Sequence, residues 1–503
     1  MGELHEIFRR SLRDFFQKEV LPFARQWEEK EEIPRIVWEK MGAAGFLGLD
    51  IPEAYGGTAG DFEMAKIYLE ELGRLGFGGL AAAFSVHTFM AVPHIVRAGS
   101  EYLKRKYLPG AASGKLIGAL AISEPFAGSD VSGIRTTARR QGDYYILNGS
   151  KVFITNGYYA DFMTVAVKTL PEAGAAGISL FVVDGQSEGI RRTKLKKLGW
   201  HCSDTAEIHF DEVRVPAQNL IGEENKGFYY IMDSFQMERL SAAIISLAGC
   251  EAALEITLSY MKERQAFGKL LSHFQVLRHR VADLVAEVEM LRAYVDKACQ
   301  LHASGTFAVK ECSIAKLKAT ELSKRVADEC LQIFGGYGFM EEYPMARMYR
   351  DVRAGTIAGG TSEVMREIIA KIVLDGLTYE KAYASEVSGA SQQVAVTASE
   401  IVRSLPRRFK KGKMPQYSGV VHLILSGEGG GMFTVRVAQD QCIVEEGLSG
   451  EPTCVVETEA VLYANMETGK IRPEEALLSG KLRISNLGEM LTISGLFARW
   501  KET

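Results

Sequence analysis

The hydrophobic pattern changes period along the chain, and each change predicts a different kind of secondary structure. From residue 4 to about 115, apolar residues such as Leu4 and Phe8 recur at helical spacing, which is typical of amphipathic helices. Residues 118–225 instead form short strand-like stretches separated by turn residues. Helical spacing returns at about 228 and continues to 383. We therefore expect a helix–sheet–helix order.

The middle segment contains several stretches of strand length. Residues 144–157 predict a hairpin, because Asn148-Gly149 suits the two positive-φ positions of a type I′ turn. Further strands are predicted at 162–168, 177–185 and 206–216. Together these stretches indicate a compact β domain with a barrel-like sheet.

The second helical segment predicts long helices joined by short breaks. The predicted helices span 228–264, 274–303, 307–334 and 344–374. Helices of this number and spacing are typical of an antiparallel four-helix bundle.

A polar, serine-rich stretch at 384–400 indicates a linker that leads into a helix. The strands predicted beyond it are 417–427, 432–440, 441–447, 453–458 and 481–485, with short helices around 459–479 and 487–497. The fold class predicted for the chain is multidomain α+β: a helical N-terminal domain (1–117), a middle β domain (118–226), a helical bundle (227–383), a linker (384–394) and a small α+β domain (395–503).

Composition narrows the function classes. The formal net charge is −4 and no long Lys/Arg run occurs, so we do not expect a nucleic-acid-binding protein. The seven cysteines form no C-x-x-C pair, which argues against a disulfide framework and favours a reducing, cytoplasmic setting. The spacing of the nine histidines matches no familiar metal-binding motif, so no metal site is expected. No run of 18 apolar residues occurs, so we expect no membrane span.

The stretch FQMERLSA (235–242) places the carboxylate of Glu238 among mostly apolar residues of a predicted helix. Apolar surroundings raise the pKa of a carboxyl group toward neutrality, which suits a general base. The alternative is a surface glutamate that pairs with Arg239 or Lys262. This stretch alone favours the alternative.

Two stretches of the β segment suit contact with a flat, polar ring. AISEPFAGSD (121–130) combines a tight turn with exposed N–H groups and hydroxyls, which bind polar ring atoms or phosphates. FITNG (153–157) places an aromatic ring next to a hydroxyl. An ordinary turn and an ordinary strand end remain the alternatives.

Three stretches of the helical segment suit contact with a dinucleotide. ERQAFGKLLSHFQ (263–275) offers Arg, Phe and Gln near a helix break, and LQIFGGYGFM (331–340) offers a bare glycine backbone. AGGTSEV (358–364) lies at a predicted helix start, where free N–H groups attract anions. Helix ends and plain N-capping explain the same residues.

Taken together, AISEPFAGSD, KVFITNG, ERQAFGK with Gln275, and QIFGGYGF resemble the acyl-CoA dehydrogenase family over roughly residues 1–382. The resemblance implies a helical N-terminal domain, a middle β domain and a four-helix bundle. It further implies FAD bound between the β domain and the bundle, and completed by a neighbouring subunit of a homotetramer built as a dimer of dimers. The expected substrate is an acyl-CoA, and the expected electron acceptor is an electron-transferring flavoprotein.

The resemblance also implies roles for individual residues. Those implied at the flavin ring are Ile122, Ser123, Phe153 and Thr155. Those implied at the adenine and pyrophosphate are Arg264, Phe267, Gln275, Gln332, Gly335 and Gly336. Thr361 and Glu363 would touch FAD from the last helix. Ser129 is expected near cofactor and substrate, and Arg239 and Gly359 along the substrate path.

The identity of the base follows from a complementary pattern. Many members of the family carry their base immediately before Gly-Thr, where this chain has Gly359 in IAGGT. The long-chain and isovaleryl members take it from the helix that opens the bundle, in a phrase that ends Glu-Arg-Leu, which is Glu238 here. The resemblance thus implies that Glu238 removes the α proton while the β hydrogen leaves as hydride to flavin N5, which yields a trans-2-enoyl-CoA. An oxidase that uses O₂, or a lipid carrier on an inactive dehydrogenase scaffold, are the alternatives.

The last segment resembles a sterol-carrier-protein-2 type lipid-binding domain, most clearly in PEEALLSGKLRISN (473–486). The resemblance implies a domain that binds lipid or an acyl chain. A tethered spacer or an oligomer contact is the alternative.

Overall fold

The computed structural model describes residues 2–377, 397–427, 429–468 and 482–498. The chain divides into two units, 1–385 and 386–503. The predicted linker 384–394 lies outside the described residues.

The first unit opens with helices whose apolar faces form its core. Leu12, Phe16 and Val20 are buried as the helical pattern predicts, while Leu4 at the start of the same stripe is exposed. The helices are α1 (Glu3–Phe15), α2 (Leu21–Lys30), α3 (Arg35–Ala43), α4 (Phe62–Arg74), α5 (Gly78–Val86), α6 (Val92–Ala98) and α7 (Glu101–Ala112).

A sheet of eight strands follows, in the order β6-β7-β3-β2-β4-β5-β8 with β1 paired to β4. The strands are β1 (Gly118–Ala121), β2 (Thr137–Gln141), β3 (Tyr144–Thr155), β4 (Phe162–Lys168), β5 (Ile178–Asp184), β6 (Ile190–Lys194), β7 (Thr205–Pro216) and β8 (Leu220–Ile221). This sheet is the predicted β-rich middle domain. In the described part of the chain, β6 and β8 lie at the two ends of this strand order.

The predicted hairpin at 144–157 is wrong, because Tyr144–Thr155 forms one continuous strand, β3. The Asn148 side chain pairs across to β7, donating to Glu212 Oε1 (2.6 Å) and accepting from the Glu212 backbone N–H (2.9 Å). The register shifts between Leu147 and Gly149, so Asn-Gly forms a β-bulge rather than a turn. The turn lies earlier, at Gly142 (φ +60°), and joins β2 to β3.

The helical segment after the sheet is organised around α8, which runs unbroken for 37 residues. Its elements are α8 (Gly227–Glu263), β9 (Gln265–Ala266), β10 (Lys269–Leu270), α9 (Gln275–Ala303), α10 (Val309–Phe334), α11 (Pro344–Val352) and α12 (Ser362–Val373). The long helices α8 and α10 pack together, and α9 packs against both.

The prediction of one helix over 344–374 is also wrong. The chain leaves the helical conformation after Thr356, because Gly359 and Gly360 take φ values of +62° and +90°. Thr361 then starts α12 as its N-cap, its hydroxyl accepting from the Val364 N–H (3.2 Å). The break leaves a loop of residues 357–360 before α12, which we call the glycine loop.

Two helical stretches, 78–98 and 227–263, are long and apolar enough to span a membrane by length and composition. Within the most apolar windows of these stretches, 78% and 61% of the residues are buried inside the protein. Core packing within the first unit therefore accounts for their apolar character.

The second unit is a separate α+β domain, as predicted. In its described residues, five strands pair in the order β13-β12-β11-β14-β15, with β11 and β14 parallel. The elements are α13 (Ala398–Arg403), α14 (Leu405–Arg408), β11 (Gly419–Ser426), β12 (Gly431–Ala438), β13 (Gln441–Glu446), β14 (Cys454–Glu459), α15 (Ala460–Glu467), β15 (Arg483–Ile484) and α16 (Leu487–Ser494). Apolar residues of the helices and the sheet form one core.

Candidate active site

Glu238 lies in α8 with 7% of its surface exposed. Its Oε1 atom has no hydrogen-bond partner among the described residues. Burial raises the pKa of this carboxyl to about 7, against the opposing charge of Arg239. The surface-glutamate alternative therefore does not describe this residue.

Glu238 lines a cavity of about 360 Å³ in the first unit. Its walls include residues of α4 and α5, the loop after β1, strand β3, helices α8, α10, α11 and α12, and the loop between α11 and α12. The predicted site residues that line it are Ile122, Ser123, Ser129, Phe153, Thr155, Glu238, Arg239 and Gly359.

Phe153 reaches the cavity because β3 is distorted where it stands. The register of β3 against β7 shifts between Lys151 and Ile154, and Phe153 has a φ of +61°. A bulky residue rarely adopts this conformation, which costs about 1–3 kcal/mol and concentrates at functional sites. Phe153 is 72% exposed, and both Phe153 and Thr155 line the cavity.

A buried ion pair behind this wall was missed by the sequence analysis. The fully buried Lys151 ammonium donates to Glu124 Oε1 (2.8 Å) and to the Ile122 carbonyl (2.9 Å). Glu124 also accepts from the N–H groups of Arg135 (2.6 Å) and Thr136 (3.0 Å). The pair joins β3 to the loop that carries Ile122 and Ser123. Glu124 belongs to AISEPFAGSD and Lys151 to KVFITNG. Their position in these two stretches was the one feature of the sequence that could have indicated the ion pair.

A second buried carboxylate was also missed. Asp351 accepts from the N–H groups of Trp200 (2.7 Å) and Gly78 (3.0 Å), and Asp351 and Trp200 both line the cavity. Burial, together with the charge of Glu28, raises the pKa of Asp351 to about 6. Asp351 thereby joins three segments distant in sequence, which no local motif indicates.

The glycine loop between α11 and α12 forms part of the cavity wall. It contains position 359, where the family resemblance predicts a base in many other members. Gly359 lines the cavity, and a Cβ added to it would meet no atom within 4 Å. Its N–H forms no hydrogen bond with another described residue. The carbonyl oxygen of Gly360 accepts a hydrogen bond from Lys316 on α10.

The residues predicted to hold adenine and pyrophosphate lie elsewhere, on what we call the aromatic surface. Its members are Arg264, Phe267, Gln275, Gln332, Gly335, Gly336 and Tyr337, and all of them are exposed. The Arg264 guanidinium lies over the Tyr337 ring (5.3 Å), which brings the end of α8 to the turn after α10. Phe267 is 96% exposed and has a φ of +50°. None of the predicted members of this set lines the cavity in the described chain.

Thr361 and Glu363 lie next to the glycine loop but do not line the cavity. Thr361 is the N-cap of α12, as expected if AGGTSEV only starts a helix and binds no anion. Hydrogen bonds from its own backbone N–H and from the Thr361 hydroxyl lower the pKa of Glu363.

The residues present fit a flavin dinucleotide. The cavity offers an aromatic ring at Phe153 and hydroxyls at Ser123 and Thr155, which suit a flat heterocycle with polar edges. On the aromatic surface, a Cβ added at Gly335 or Gly336 would meet no atom within 4 Å, so a phosphate can approach this backbone closely.

Comparison with protein families gives four matches along the chain. Three are to the N-terminal, middle and C-terminal domains of acyl-CoA dehydrogenases, over residues 2–115, 119–213 and 225–374. The fourth is to the SCP-2 sterol transfer family, over residues 402–497.

Individual proteins agree with these matches. The long-chain specific acyl-CoA dehydrogenase of Mus musculus mitochondria is 45% identical over 74% of this chain and 86% of its own. A caffeyl-CoA reductase–Etf complex subunit of Acetobacterium woodii is 37% identical over 74% of this chain and 99% of its own.

Solved structures show the same likeness. An acyl-CoA dehydrogenase of Geobacillus kaustophilus matches 74% of this chain and 98% of its own, with 45% identity and a TM-score of 0.72. A glutaryl-CoA dehydrogenase of Mycobacterium smegmatis, solved in complex with FADH2, matches 76% of this chain and 97% of its own, with 27% identity and a TM-score of 0.71. The chain therefore belongs to the acyl-CoA dehydrogenase family of FAD flavoproteins, and it carries a C-terminal SCP-2 domain.

Proposed function

We propose that this protein oxidises a fatty acyl-CoA to the trans-2-enoyl-CoA with FAD, and that Glu238 is the base that removes the α proton. The observation that carries the proposal is the state of Glu238: its carboxyl is buried, lines the cavity and has one oxygen without a partner. A carboxyl with a pKa near 7 is matched to proton abstraction at neutral pH. The family position that carries the base in many relatives is Gly359 here, which has no side chain to accept a proton.

Two parts of the cavity wall, helix α8 and the loop that carries Gly359, take part in this reaction. Glu238 accepts the α proton, and the free N–H of Gly359 donates to the thioester carbonyl, which stabilises the negative charge that develops on that oxygen. Arg239, buried beside the base, favours its ionised form. When bound, FAD supplies the acceptor for the β hydrogen, which leaves as hydride.

We assign the cofactor contacts to the two groups of residues. Ile122, Ser123, Phe153 and Thr155 would hold the flavin ring at the cavity wall. Thr361 and Glu363 would contact FAD beside the glycine loop. Ser129, at the cavity rim, would lie near both cofactor and substrate. The aromatic surface would hold the adenine and pyrophosphate of FAD bound mainly by a second copy of the chain, as expected for a homotetramer built as a dimer of dimers.

The shape of the cavity supports a long acyl chain. Ala242, Ser246, Gly249 and Ala253 follow Glu238 on α8 at intervals of three or four residues, and all of them line the cavity. Gly73 and Gly76 also line the cavity. From Glu238 to Ala253 the helix rises about 22 Å, at ~1.5 Å per residue. Small side chains over this distance leave room for many methylene groups.

The direct test is reduction of the bound flavin by substrate. We expect the purified protein to be yellow and to bleach when palmitoyl-CoA is added without oxygen, with 2-hexadecenoyl-CoA as product. A yellow protein that fails to bleach with acyl-CoA thioesters of four to eighteen carbons would contradict the proposal and favour the inactive scaffold. With oxygen present, peroxide formed in proportion to product would favour the oxidase, whereas slow peroxide and rapid reduction of an electron-transferring flavoprotein would favour the dehydrogenase.

We propose that the SCP-2 domain binds the acyl chain of a lipid or of the substrate. The family match and the apolar core of the second unit support this assignment. Native mass spectrometry of the full chain and of a chain that ends at residue 385 should show bound lipid on the full chain only. Equal lipid content would favour the spacer or oligomer-contact alternative.

We propose a cytoplasmic location as well. All seven cysteines are free thiols, six of them buried, which supports a reducing compartment.

A further inference from the structure

Lys316 on α10 is a buried cation whose role the function proposed above does not explain. Its side chain is fully buried and donates a hydrogen bond to the carbonyl oxygen of Gly360. Two acidic groups act on its charge from a distance, Glu321 and Glu363. Glu321 is itself paired with Arg366 (2.6 Å), and Glu363 is engaged by Thr361. A buried ammonium without a close counter-ion is costly, so its presence beside a cavity points to a function.

The loop that Lys316 contacts needs an anchor. Gly359 and Gly360 both have positive φ, and glycine carries the largest backbone entropy of any residue. A Cβ at Gly359 would face open space, so packing does not hold that residue. The loop is fixed on one side by the Ala358 N–H bond to the Ala354 carbonyl (2.9 Å) and on the other by the Thr361 cap. Lys316 fixes the peptide between these two points.

We propose that Lys316 is a positioning residue, which fixes the glycine loop through the Gly360 carbonyl so that the Gly359 N–H points at the thioester carbonyl opposite Glu238. This inference rests on the proposed function. Many relatives carry the base in this loop, but here the proposed base is on α8. At position 359 the loop therefore offers the cavity a backbone N–H and no side chain. Loss of the anchor should therefore weaken carbonyl polarisation, and so slow α-proton removal, while leaving substrate binding largely intact.

The test compares Lys316→Met with Lys318→Met, which removes an exposed lysine two residues along the same helix. For Lys316→Met we expect kcat to fall about 10- to 100-fold, the usual result of misplaced reacting groups, with KM changed less than about threefold. With substrate deuterated at the α carbon, the isotope effect on kcat should be larger in Lys316→Met than in Lys318→Met. Lys316→Arg, which keeps a charged donor, should recover part of the rate.

Two results would overturn the inference. One is a kcat for Lys316→Met within about twofold of that for Lys318→Met. The other is a loss that parallels a fall in Tm or FAD content while the α isotope effect is unchanged, because the lysine would then be structural. If Lys316→Met does not fold, Lys316→Gln replaces it, because its amide is a donor of shorter reach. A larger α isotope effect on kcat in Lys316→Gln than in Lys318→Met would support the inference, and an unchanged isotope effect would overturn it. Failure of wild-type protein to reduce its flavin with acyl-CoA would instead contradict the proposed function itself.

Discussion

The cavity around Glu238 and the aromatic surface around Phe267 both consist of residues that match family motifs, but the single chain completes only one of them. In the cavity, Glu238 and Arg239 are more than nine-tenths buried, and the walls combine helices, a strand and loops that are far apart in the sequence of the first unit. On the aromatic surface, Phe267 is 96% exposed and the glycine backbone at 335–336 faces open space. A carboxyl removed from water has a raised pKa, and one chain alone provides that burial for Glu238. Exposed aromatic and glycine residues of this kind are what the proposed contact with a second copy of the chain and its FAD would require.

The largest expected effect tests the cavity. Glu238→Gln keeps the shape of the side chain but removes the proton acceptor, so kcat should fall about 10²- to 10⁴-fold. FAD content should be unchanged, because the variant leaves the flavin-facing residues intact. Flavin reduction measured by stopped-flow absorbance checks both points. Near-normal reduction would mean that the base lies elsewhere.

A substitution deeper in the same cavity should change substrate preference. Gly249→Leu places a branched side chain in the channel, so kcat/KM for palmitoyl-CoA should fall at least about tenfold while that for butyryl-CoA stays within about twofold. Gly249→Ala is the matched control, because its Cβ would lie 3.7 Å from the Gly73 carbonyl oxygen, an ordinary contact. An equal loss on both substrates would show that the acyl chain takes another path.

The pH dependence should report the buried carboxyl of the cavity. Because the pKa of Glu238 is raised to about 7, the base is protonated below that pH, and kcat/KM should fall about tenfold per pH unit below 7 and level off above it. The same raised pKa contributes stability that is present below the unfolded pKa and lost as pH rises through 7. Glu238→Gln should therefore be the more stable protein at pH 8. A profile whose acid limb lies near pH 4.5 would contradict the raised pKa.

The smallest expected effect tests the aromatic surface. Phe267→Ala should leave the cavity unchanged but weaken FAD retention by at least about fivefold, a typical loss for a contact aromatic worth ~1 kcal/mol. Phe23→Ala, at an exposed aromatic of α2, is the control. FAD released during gel filtration and the mass by analytical ultracentrifugation provide the measurements. If the two variants behave alike, the aromatic surface is not part of the cofactor site.

Much of the fold could be predicted because the local pattern and the tertiary structure agree. The order of helices, strands and helices, the strands β4, β5 and β7, and the small α+β domain all follow from period and turn residues. The wrong hairpin arose where a side chain finds a distant partner, whereas the wrong helix over 344–374 arose from the positive φ of Gly359 and Gly360. Asn148-Gly149 suits a turn by local chemistry, but Glu212 on β7 satisfies the Asn148 amide and turns the site into a bulge.

The sequence by itself determined the family motifs, the presence of a carboxylate at Glu238 in the stretch FQMERLSA, and the absence of a carboxylate at Gly359. These are properties of residue type and order, which need no coordinates. Only the tertiary structure decided that Glu238 is buried with a raised pKa, that Lys151 donates to the Ile122 carbonyl and Lys316 to the Gly360 carbonyl, and that the aromatic surface is exposed. The physical reason is that burial and charge pairing depend on neighbours far apart in the chain, as Lys316 and Gly360 are, and no local pattern records them.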